Sequence, residues 1–326
     1  MATSRKFSIK VRATLTIVAT LLFSLLFILV VYGVNYSNSH SDGGVNPLTG
    51  ELVASDPIYF LLVGSDSRKH TALYTGNPND HAQTEQHADI ITLMRVDPSE
   101  FTITLLSIPR DTVLSGEDTK INHGLEEKDA RHIVESVEKL VGIDIPYYLM
   151  TDYEAFIKFI DSFGGLNMDV PRKITVTDPL TAKDITLNSG DDQRLNGSQT
   201  LTLARARKEY GDNQDALRQV NVRAIEKGII DKALNSISLN DAAKLLTSLK
   251  NNTYSNFNLE DFGFLLANFI NNKDNVRVFS TTGPYNGGEN EHGIWVINED
   301  EQAWGEIGLM LKNGINPEDK LPFPSF

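Results

Sequence analysis

The segment FTITLLSIPRDT, residues 101–112, changes character within a few residues. Its first part is rich in β-branched and aliphatic residues, which is typical of a buried strand. The run stops at Pro109, which cannot donate a hydrogen bond to a neighbouring strand, and Arg110 and Asp111 follow directly. The sequence therefore predicts a buried strand that ends in a guanidinium and a carboxylate, side by side.

Strands and helices are predicted on both sides of this segment. YFLLVGSD (59–66) and ADIITLMRVDP (88–98) are short β-branched runs bounded by Gly, Asp or Pro. Apolar residues recur on one helical face from Ile133 to Val141, and Gly142 supplies a helix stop. The remaining predicted elements are a helix from Asp152 to Gly164–Gly165, helices within 222–234, 241–249 and 259–270, and a strand at 276–281. Interspersed strands and helices predict an α/β domain, layered α-β-α around a central mixed sheet.

The N-terminal residues have the composition of a membrane anchor. Residues 1–12 carry four basic residues and no acidic one, and residues 13–34 contain no charged residue. A bilayer core requires roughly 20 apolar residues. The run is long and lacks a clear small-residue cleavage site, so a retained signal anchor is favoured over a cleaved signal. The basic residues place the N-terminus in the cytoplasm and everything after the anchor outside the membrane.

The chain is acidic, with a net charge of -13, or -17 without residues 1–12. This balance argues against a nucleic-acid partner, because such partners favour basic surfaces. The absence of cysteine is compatible with an exported protein that forms no disulfide. The polar segment GPYNGGENEHG (283–293) and the tail PEDKLPFPSF (317–326) are interpreted as merely exposed.

Charged residues stand where the first three predicted strands begin or end. Asp66 and Arg68 follow the first strand, Asp89 opens the second, and Arg110 and Asp111 follow the third. Each alone is most simply a solvated strand end. Three such ends with the same composition instead favour a site for a divalent cation, which prefers carboxylate oxygens. Beside it, a phosphate or pyrophosphate would be bound by the guanidinium groups.

A second basic cluster lies in LNGSQTLTLARARKEYGDNQDALRQ (195–219). Arg205 and Arg207 share a face only in an extended chain, because on a helix they point about 200° apart. If both bind one anion, the helix that starts near Ser198 must end just before Arg205. Alternatively, both lie at a solvated helix end and complement the helix dipole. Arg218 follows at the start of the next helical pattern, and common nucleophile, P-loop and zinc motifs are absent from the sequence.

Several long strings occur in an order that resembles a known family. They are LLVGSD, ADIITLMRVDP, TLLSIPRDT, KIN, GIDIPYYLMTDYEAF, DSFGGLNMDVP and L-N-G-x-Q-x-L-x-x-A-R-x-R. Over residues 57–234, and more loosely beyond, they resemble the LytR-CpsA-Psr family of bacterial cell-wall enzymes. The resemblance implies a magnesium-dependent phosphotransferase that moves an anionic glycopolymer, of teichoic acid or capsule type, from undecaprenyl pyrophosphate onto peptidoglycan. It also implies an apolar pocket for the polyprenyl tail in an α-β-α domain.

The resemblance further implies roles for individual residues. Asp66 and Asp89 match the acids that hold Mg²⁺. Arg110 and Asp111 match the catalytic position, where Asp111 either orients Arg110 or acts as a base. The implied pyrophosphate-binding residues are Arg110, Arg205, Arg207 and Arg218, with Arg68 and Lys120 as weaker matches.

The chain departs from the family pattern at two places. Many members have an arginine just before the second acid, where this chain has Gln86-His87-Ala88. The family element Asp-x-Gly-Arg-x-x-Arg-Gln corresponds to DALRQVNV (215–222). Arg218 matches either arginine of that element. In one register Asn221 replaces the second arginine, in the other Asp215 replaces the first, and either way one basic residue is missing.

Two alternative functions remain open from the sequence. The same residues could hydrolyse polyprenyl pyrophosphate, with water in place of the sugar hydroxyl. The protein could also be a lipid-binding regulator of the envelope without turnover, which the missing basic residue favours. The expected organisation is a cytoplasmic tail (1–12), a transmembrane anchor (13–34), a linker (35–56), a catalytic domain (57–315) and a tail (316–326).

Overall fold

The computed structural model contains strands and helices interspersed along the chain. The strands are β1 (Ile58–Ser65), β2 (Ala88–Asp97), β3 (Thr102–Ser107), β4 (Thr112–Val113), β5 (Tyr147–Thr151), β6 (Leu166–Val170), β7 (Ile174–Thr177), β8 (Asp184–Leu187), β9 (Gly190–Leu195), β10 (Tyr254–Ser255), β11 (Arg277–Thr282), β12 (Gly287–Glu289) and β13 (Trp295–Asn298). The α-helices are α1 (Arg131–Val141), α2 (Tyr153–Ser162), α3 (Gly197–Arg205), α4 (Gln214–Asn235), α5 (Leu259–Asn271) and α6 (Glu301–Lys312). Short 3₁₀ turns span Lys208–Asn213, Lys273–Asn275 and Pro317–Asp319.

The structure describes residues 56–67, 86–123, 125, 129–162, 164–235, 247–248, 251–257 and 259–319. The predicted membrane anchor, most of the predicted linker, Arg68 and most of the predicted helix at 241–249 lie outside these residues. Within the described part of the chain, no helix is both long enough and apolar enough to cross a membrane.

A six-stranded sheet has the order β10-β5-β1-β2-β3-β11. β1, β2 and β3 form an antiparallel meander, whereas β5 pairs in parallel with β1 and β11 pairs in parallel with β3. The predicted central mixed sheet is therefore confirmed. In this arrangement the carboxyl ends of β1, β3, β5 and β11 and the amino end of β2 all lie at the same edge of the sheet.

Helices cover both faces of this sheet. Because successive strand residues point to opposite faces, Leu61 and Leu93 join one core with α1 and α6. Ile90 and Leu149 pack against the other core, which includes α2, α3 and α4. Each fully buried side chain of this size contributes about 1.5–3 kcal/mol. The two cores make the domain layered α-β-α, as the sequence predicts.

Two predicted helix boundaries are confirmed, and each has a local cause. α1 ends at Gly142, which is in the left-handed region with φ 64° and donates its N–H to the carbonyl of Glu138. α2 begins after Asp152, whose side chain accepts a hydrogen bond from the N–H of Ala155 at 2.8 Å. Both signals act within one helical turn, so no distant contact is needed to explain them.

The segment 283–293 is not merely an exposed loop, so that prediction was wrong. It contains β12, which pairs with β13, and β13 pairs in parallel with β4. β4 directly follows Arg110 and Asp111, so this small sheet is joined to the end of the quoted segment. The start of the predicted exposed tail is also bound, since the side chain of Glu318 accepts a hydrogen bond from the N–H of Ser280 at 2.7 Å.

Close packing of α6 on the end of α1 depends on Gly308. A Cβ atom at this position would lie 1.9 Å from the backbone oxygen of Val141. Because that obstacle is backbone, we expect Gly308→Ala to lower the free energy of unfolding by about 1–3 kcal/mol. Gly305→Ala is the matched control on the same helix, because open space surrounds that position. It should raise the free energy of unfolding by about 0.5–1 kcal/mol.

Urea unfolding followed by circular dichroism measures both glycine variants. An equal loss of stability in the two variants would contradict the packing explanation, because only the Gly308 variant meets backbone.

Candidate active site

A polar cavity of about 280 Å³ lies at the edge where the strand ends meet. Gly64 of β1 pairs with both Ile90 and Thr151, and all three line this cavity. Its charged lining residues are Asp66, Asp89, Asp152, Arg110, Arg205, Arg207 and Arg218. Four guanidinium groups therefore line the cavity beside three carboxylates, although the chain as a whole has a net charge of -13. The planar guanidinium groups suit a phosphate-type anion.

A tight turn places Arg110 in this cavity. The carbonyl of Pro109 accepts hydrogen bonds from the N–H and the hydroxyl of Thr112, at 3.1 and 2.7 Å. The strand therefore stops, and Arg110 stands at the corner of the turn. Its Nη1 pairs with Oδ1 of Asp89.

Carboxylates surround the remainder of the Arg110 guanidinium. Its Nε lies 3.7 Å from Asp111 and 3.9 Å from Asp215. This Nε is buried and makes no hydrogen bond to any described residue. Burial favours the neutral form of Arg110, but Asp89, Asp111 and Asp215 outweigh burial and raise the pKa of Arg110. Arg110 is therefore a fixed positive charge at every physiological pH.

Asp215 holds the other arginines of the cavity in place. Its Oδ1 accepts hydrogen bonds from Nη2 of Arg207 and Nε of Arg218, both at 2.9 Å. Burial favours the neutral acid, but Arg218, Arg207 and Arg110 together hold the pKa of Asp215 well below its usual range. Asp215 was not among the residues predicted from the sequence to form the site. The available signal was its position three residues before Arg218 on one helix, a spacing at which opposite charges meet.

Arg205 and Arg207 both line the cavity because α3 ends between them. Ala206 is extended, with φ -60° and ψ 125°. Of the two predicted alternatives, the structure has the extended chain between the two arginines. The helix α3 nevertheless continues through Arg205, one residue further than expected. Arg205 lies over the ring of Tyr153, 5.0 Å from its centroid, and donates a hydrogen bond to the carbonyl of Thr177 at 2.7 Å.

Asp66 and Asp89 form the acidic side of the cavity. The Oδ1 of Asp66 accepts a hydrogen bond from the N–H of His87 at 2.7 Å, and Nδ1 of His87 lies 3.5 Å from Oδ2 of Asp66. Burial and the neighbouring charge of Asp89 raise the pKa of Asp66. These two carboxylates are the residues that could hold Mg²⁺, which takes one or two carboxylates and completes its shell with water and phosphate oxygens. Within the described residues, no group of three or more His, Cys, Asp or Glu side chains is arranged to hold a metal.

Asp111 and Lys120 lie behind Arg110 and are not among the described residues that line the cavity. Nζ of Lys120 donates a hydrogen bond to Oδ1 of Asp111 at 2.7 Å, and Asp111 is buried. This geometry favours the orienting role of Asp111 over the role of a base. The fifth predicted arginine, Arg68, lies outside the described residues.

Two tyrosines that were not predicted as site residues also contact the site. The hydroxyl of Tyr153 lies 3.4 Å from Oδ2 of Asp89, and burial followed by the charge of Asp89 raises the pKa of Tyr153. The hydroxyl of Tyr285 donates to Oδ2 of Asp215 at 3.3 Å. Tyr285 belongs to the segment interpreted as exposed loop, and nothing local in its sequence indicates that Asp215 is its partner.

A second cavity, of about 120 Å³, adjoins the first one. Both cavities share Gly64, Ile90, Thr151, Phe156 and Ala204 as lining residues. The second is walled mainly by aliphatic and aromatic side chains of β1, β2, β5, α2 and α4. A chamber lined by four guanidinium groups that continues into an apolar one suits an amphiphile with an anionic head.

Comparison with known proteins identifies the family. The model of the LytR_cpsA_psr family matches residues 33–313. The chain belongs to the LytR_cpsA_psr family. The resemblance predicted from sequence motifs is thus confirmed.

Relatives of this LytR_cpsA_psr protein include two proteins named polyisoprenyl-teichoic acid–peptidoglycan teichoic acid transferase TagU. The one from Bacillus licheniformis is 26% identical over 265 residues, which cover 80% of this chain and 79% of the relative. The one from Bacillus subtilis is 25% identical over 264 residues, which cover 80% and 78%.

Solved structures share the LytR_cpsA_psr fold seen here. The crystal structure of Bacillus subtilis TagV superimposes with a TM-score of 0.65 at 22% identity, covering 82% of this chain and all of the solved TagV chain. TagT bound to LIIa-WTA superimposes with a TM-score of 0.59 at 20% identity, covering 80% of this chain and 91% of TagT. These likenesses establish the fold.

Asn221 explains one departure from the LytR_cpsA_psr pattern. Its side-chain amide donates hydrogen bonds to the hydroxyl of Tyr210 at 2.5 Å and to the carbonyl of Leu203 at 3.2 Å. Asn221 is buried and is not among the described cavity residues. It connects the end of α3 to α4 and so supports the bend that carries Arg207. The cavity holds Arg218, and Asn221 has a structural position one turn further along α4.

Proposed function

We propose that this protein is a membrane-anchored phosphotransferase that moves an anionic glycopolymer, of teichoic acid or capsule type, from undecaprenyl pyrophosphate onto peptidoglycan. The observation that carries the proposal is the junction of the two cavities, where four arginines stand at the entrance to an apolar chamber. The names of the TagU relatives support the reaction class. Residues 13–34 would hold the domain at the outer surface of the membrane, where both the lipid carrier and peptidoglycan lie. A nucleic-acid partner is not expected.

In the proposed complex, the lipid carrier occupies both cavities. The pyrophosphate would contact the guanidinium groups of Arg110, Arg205, Arg207 and Arg218, and the polyprenyl chain would enter the apolar cavity. Arginine suits this task because its planar fork engages phosphate oxygens in pairs. The guanidinium groups would be held in a fixed orientation by Asp215, Asp111 and Lys120. Little reorganisation would therefore be required when the substrate binds.

The transfer step exchanges one phosphorus–oxygen bond for another. A hydroxyl of a peptidoglycan sugar attacks the phosphorus nearer the glycan and releases its proton to solvent. The bond to the bridging oxygen breaks, and undecaprenyl phosphate leaves with that oxygen. Catalysis is mainly electrostatic positioning, as expected for phosphoryl transfer. Arg110 would stabilise the charge that develops on the phosphoryl oxygens.

Asp66 and Asp89 would hold Mg²⁺ in the same cavity as the arginines. Bound there, the ion would neutralise phosphate oxygens and polarise the phosphorus under attack. His87 would position Asp66 through its backbone N–H, and Tyr153 would contact Asp89.

Turnover by the detergent-solubilised full chain tests the proposed function. The reaction contains a polyprenyl-pyrophosphate-linked oligosaccharide, Mg²⁺ and peptidoglycan fragments, and both products are quantified by mass spectrometry. We expect polyprenyl phosphate and glycosylated peptidoglycan in equal amounts, and loss of both products when Mg²⁺ is chelated with EDTA. Release without attachment would identify a pyrophosphatase instead. Tight binding with no release would identify a lipid-binding regulator.

A further inference from the structure

An ionisable residue stands in the wall of the apolar cavity. Glu226 lies on α4 and lines this cavity together with Leu62, Leu149, Val222 and Ile229. Among the described residues of the lining, Glu226 is the one that can carry a charge. The proposed transfer reaction gives it no role, because all reacting groups lie in the polar cavity.

The carboxyl of Glu226 is poorly compensated by its surroundings. Its Oε2 is inaccessible to solvent and makes no hydrogen bond to any described residue, and the same holds for the nearby hydroxyl of Thr92 on β2. The charge that acts on Glu226 is Arg223, one turn earlier on α4, and Glu318 acts in turn on Arg223. From α5, Leu266 packs against the same core. Burial raises the pKa of Glu226 to about 7, and the charge of Arg223 opposes this rise only in part.

Filling the cavity would change the surroundings of this carboxyl. Water in the empty cavity lies close to the carboxylate and stabilises its charge as a high-dielectric medium, whereas an apolar chain in the cavity displaces that water. A charged carboxylate left against hydrocarbon is strongly disfavoured, and such a group takes up a proton instead. The cavity and the acid in its wall are therefore coupled.

We propose that entry of an apolar chain into this cavity is coupled to protonation of Glu226, so that the chain binds tightly only while Glu226 is neutral. The proposal rests on the proposed function for the identity of the chain, a polyprenyl tail. Glu226 acts here as a residue that tunes affinity and does not touch the reacting atoms.

Linkage sets the sign of the expected pH dependence. The bound chain raises the pKa of Glu226 above its value of about 7 in the empty cavity. Affinity is then constant at pH values well below 7 and falls by about tenfold per pH unit between the two pKa values. Higher pH therefore favours release of the tail.

Binding of a prenyl alcohol tests the coupling, because this ligand has no titrating head group. We would measure the Kd of geranylgeraniol for the detergent-solubilised full chain at pH 5.5 and pH 8.5. The wild-type protein should bind at least about tenfold more weakly at the higher pH. Glu226→Gln, which keeps the shape and removes the charge, should bind tightly at both values. Asp231→Asn is the matched control, since Asp231 is exposed on the same helix, and it should behave as the wild type.

The outcomes separate this inference from the proposed function. Equal affinity of the wild type at both pH values, or an unchanged pH dependence in Glu226→Gln, would overturn the coupling while transfer activity still stands. If the alcohol does not bind at either pH, the polyprenyl tail does not bind in this cavity, and that part of the proposed function is overturned as well. Glu226→Leu provides a second neutral variant, and thermal melts establish that each variant is folded.

Discussion

Arg110→Ala is expected to lower kcat for glycopolymer transfer by about 10²–10³-fold, equivalent to about 2.7–4 kcal/mol of transition-state stabilisation. Arg110 is the cavity arginine that faces three carboxylates and remains charged. Its Nη1 lies against Asp89, so it also links the basic and acidic sides of the site. Losing it removes a fixed positive charge from the place where phosphoryl charge develops. Steady-state kinetics with the polyprenyl-pyrophosphate substrate measure this loss.

Two control variants define what the Arg110→Ala result means. Arg110→Lys keeps a positive charge but loses the planar fork, so its kcat should lie between those of the wild type and the alanine variant. Arg131→Ala removes an arginine whose side chain is 76% exposed, and its kcat should equal that of the wild type. A wild-type kcat in Arg110→Ala would remove Arg110 from the catalytic assignment. An equal loss in Arg131→Ala would indicate a general effect of charge.

Asp215→Asn is expected to lower the free energy of unfolding by about 3–5 kcal/mol at neutral pH. The substitution leaves Arg218, which is 5% exposed, without its carboxylate partner. It also removes the counter-charge of Arg207 and one of the three carboxylates that surround Arg110. Three guanidinium groups would then repel one another. Urea unfolding at pH 7 measures the effect.

The pH dependence of stability adds a specific signature for Asp215. The pKa of Asp215 is depressed in the folded state. Its contribution to the free energy of unfolding is therefore fully present above the unfolded pKa of about 3.9, and it is lost as the pH falls toward the folded pKa. Wild-type stability should therefore fall below about pH 4 more steeply than that of Asp215→Asn. Asp129→Asn is the control, because Asp129 pairs with the exposed Arg131 and should contribute less than about 1 kcal/mol. Parallel pH profiles for wild type and Asp215→Asn would contradict the assigned role.

Local signals in the sequence determined the elements and several of their boundaries. Pro109 ends β3, Gly142 ends α1 and Asp152 begins α2, each through bonds within a few neighbouring residues. The motif strings determined the family, because they extend in order over most of the domain. The same strings indicated Arg110, Asp66, Asp89 and the two arginines around the end of α3 as members of one site.

The tertiary structure alone decided which of these residues meet and what supports them. The order β5-β1-β2-β3 brings Asp66, Asp89 and Arg110 to one edge, and strand order depends on pairing between distant segments. Tyr285 reaches Asp215 from 70 residues away. The sequence pattern could not distinguish the apolar cavity from an ordinary core, because a side chain that lines a cavity and one that fills it share the same helical period. The position of Glu226 in that cavity wall depends on how α4 packs against β2, a contact between segments far apart in the chain.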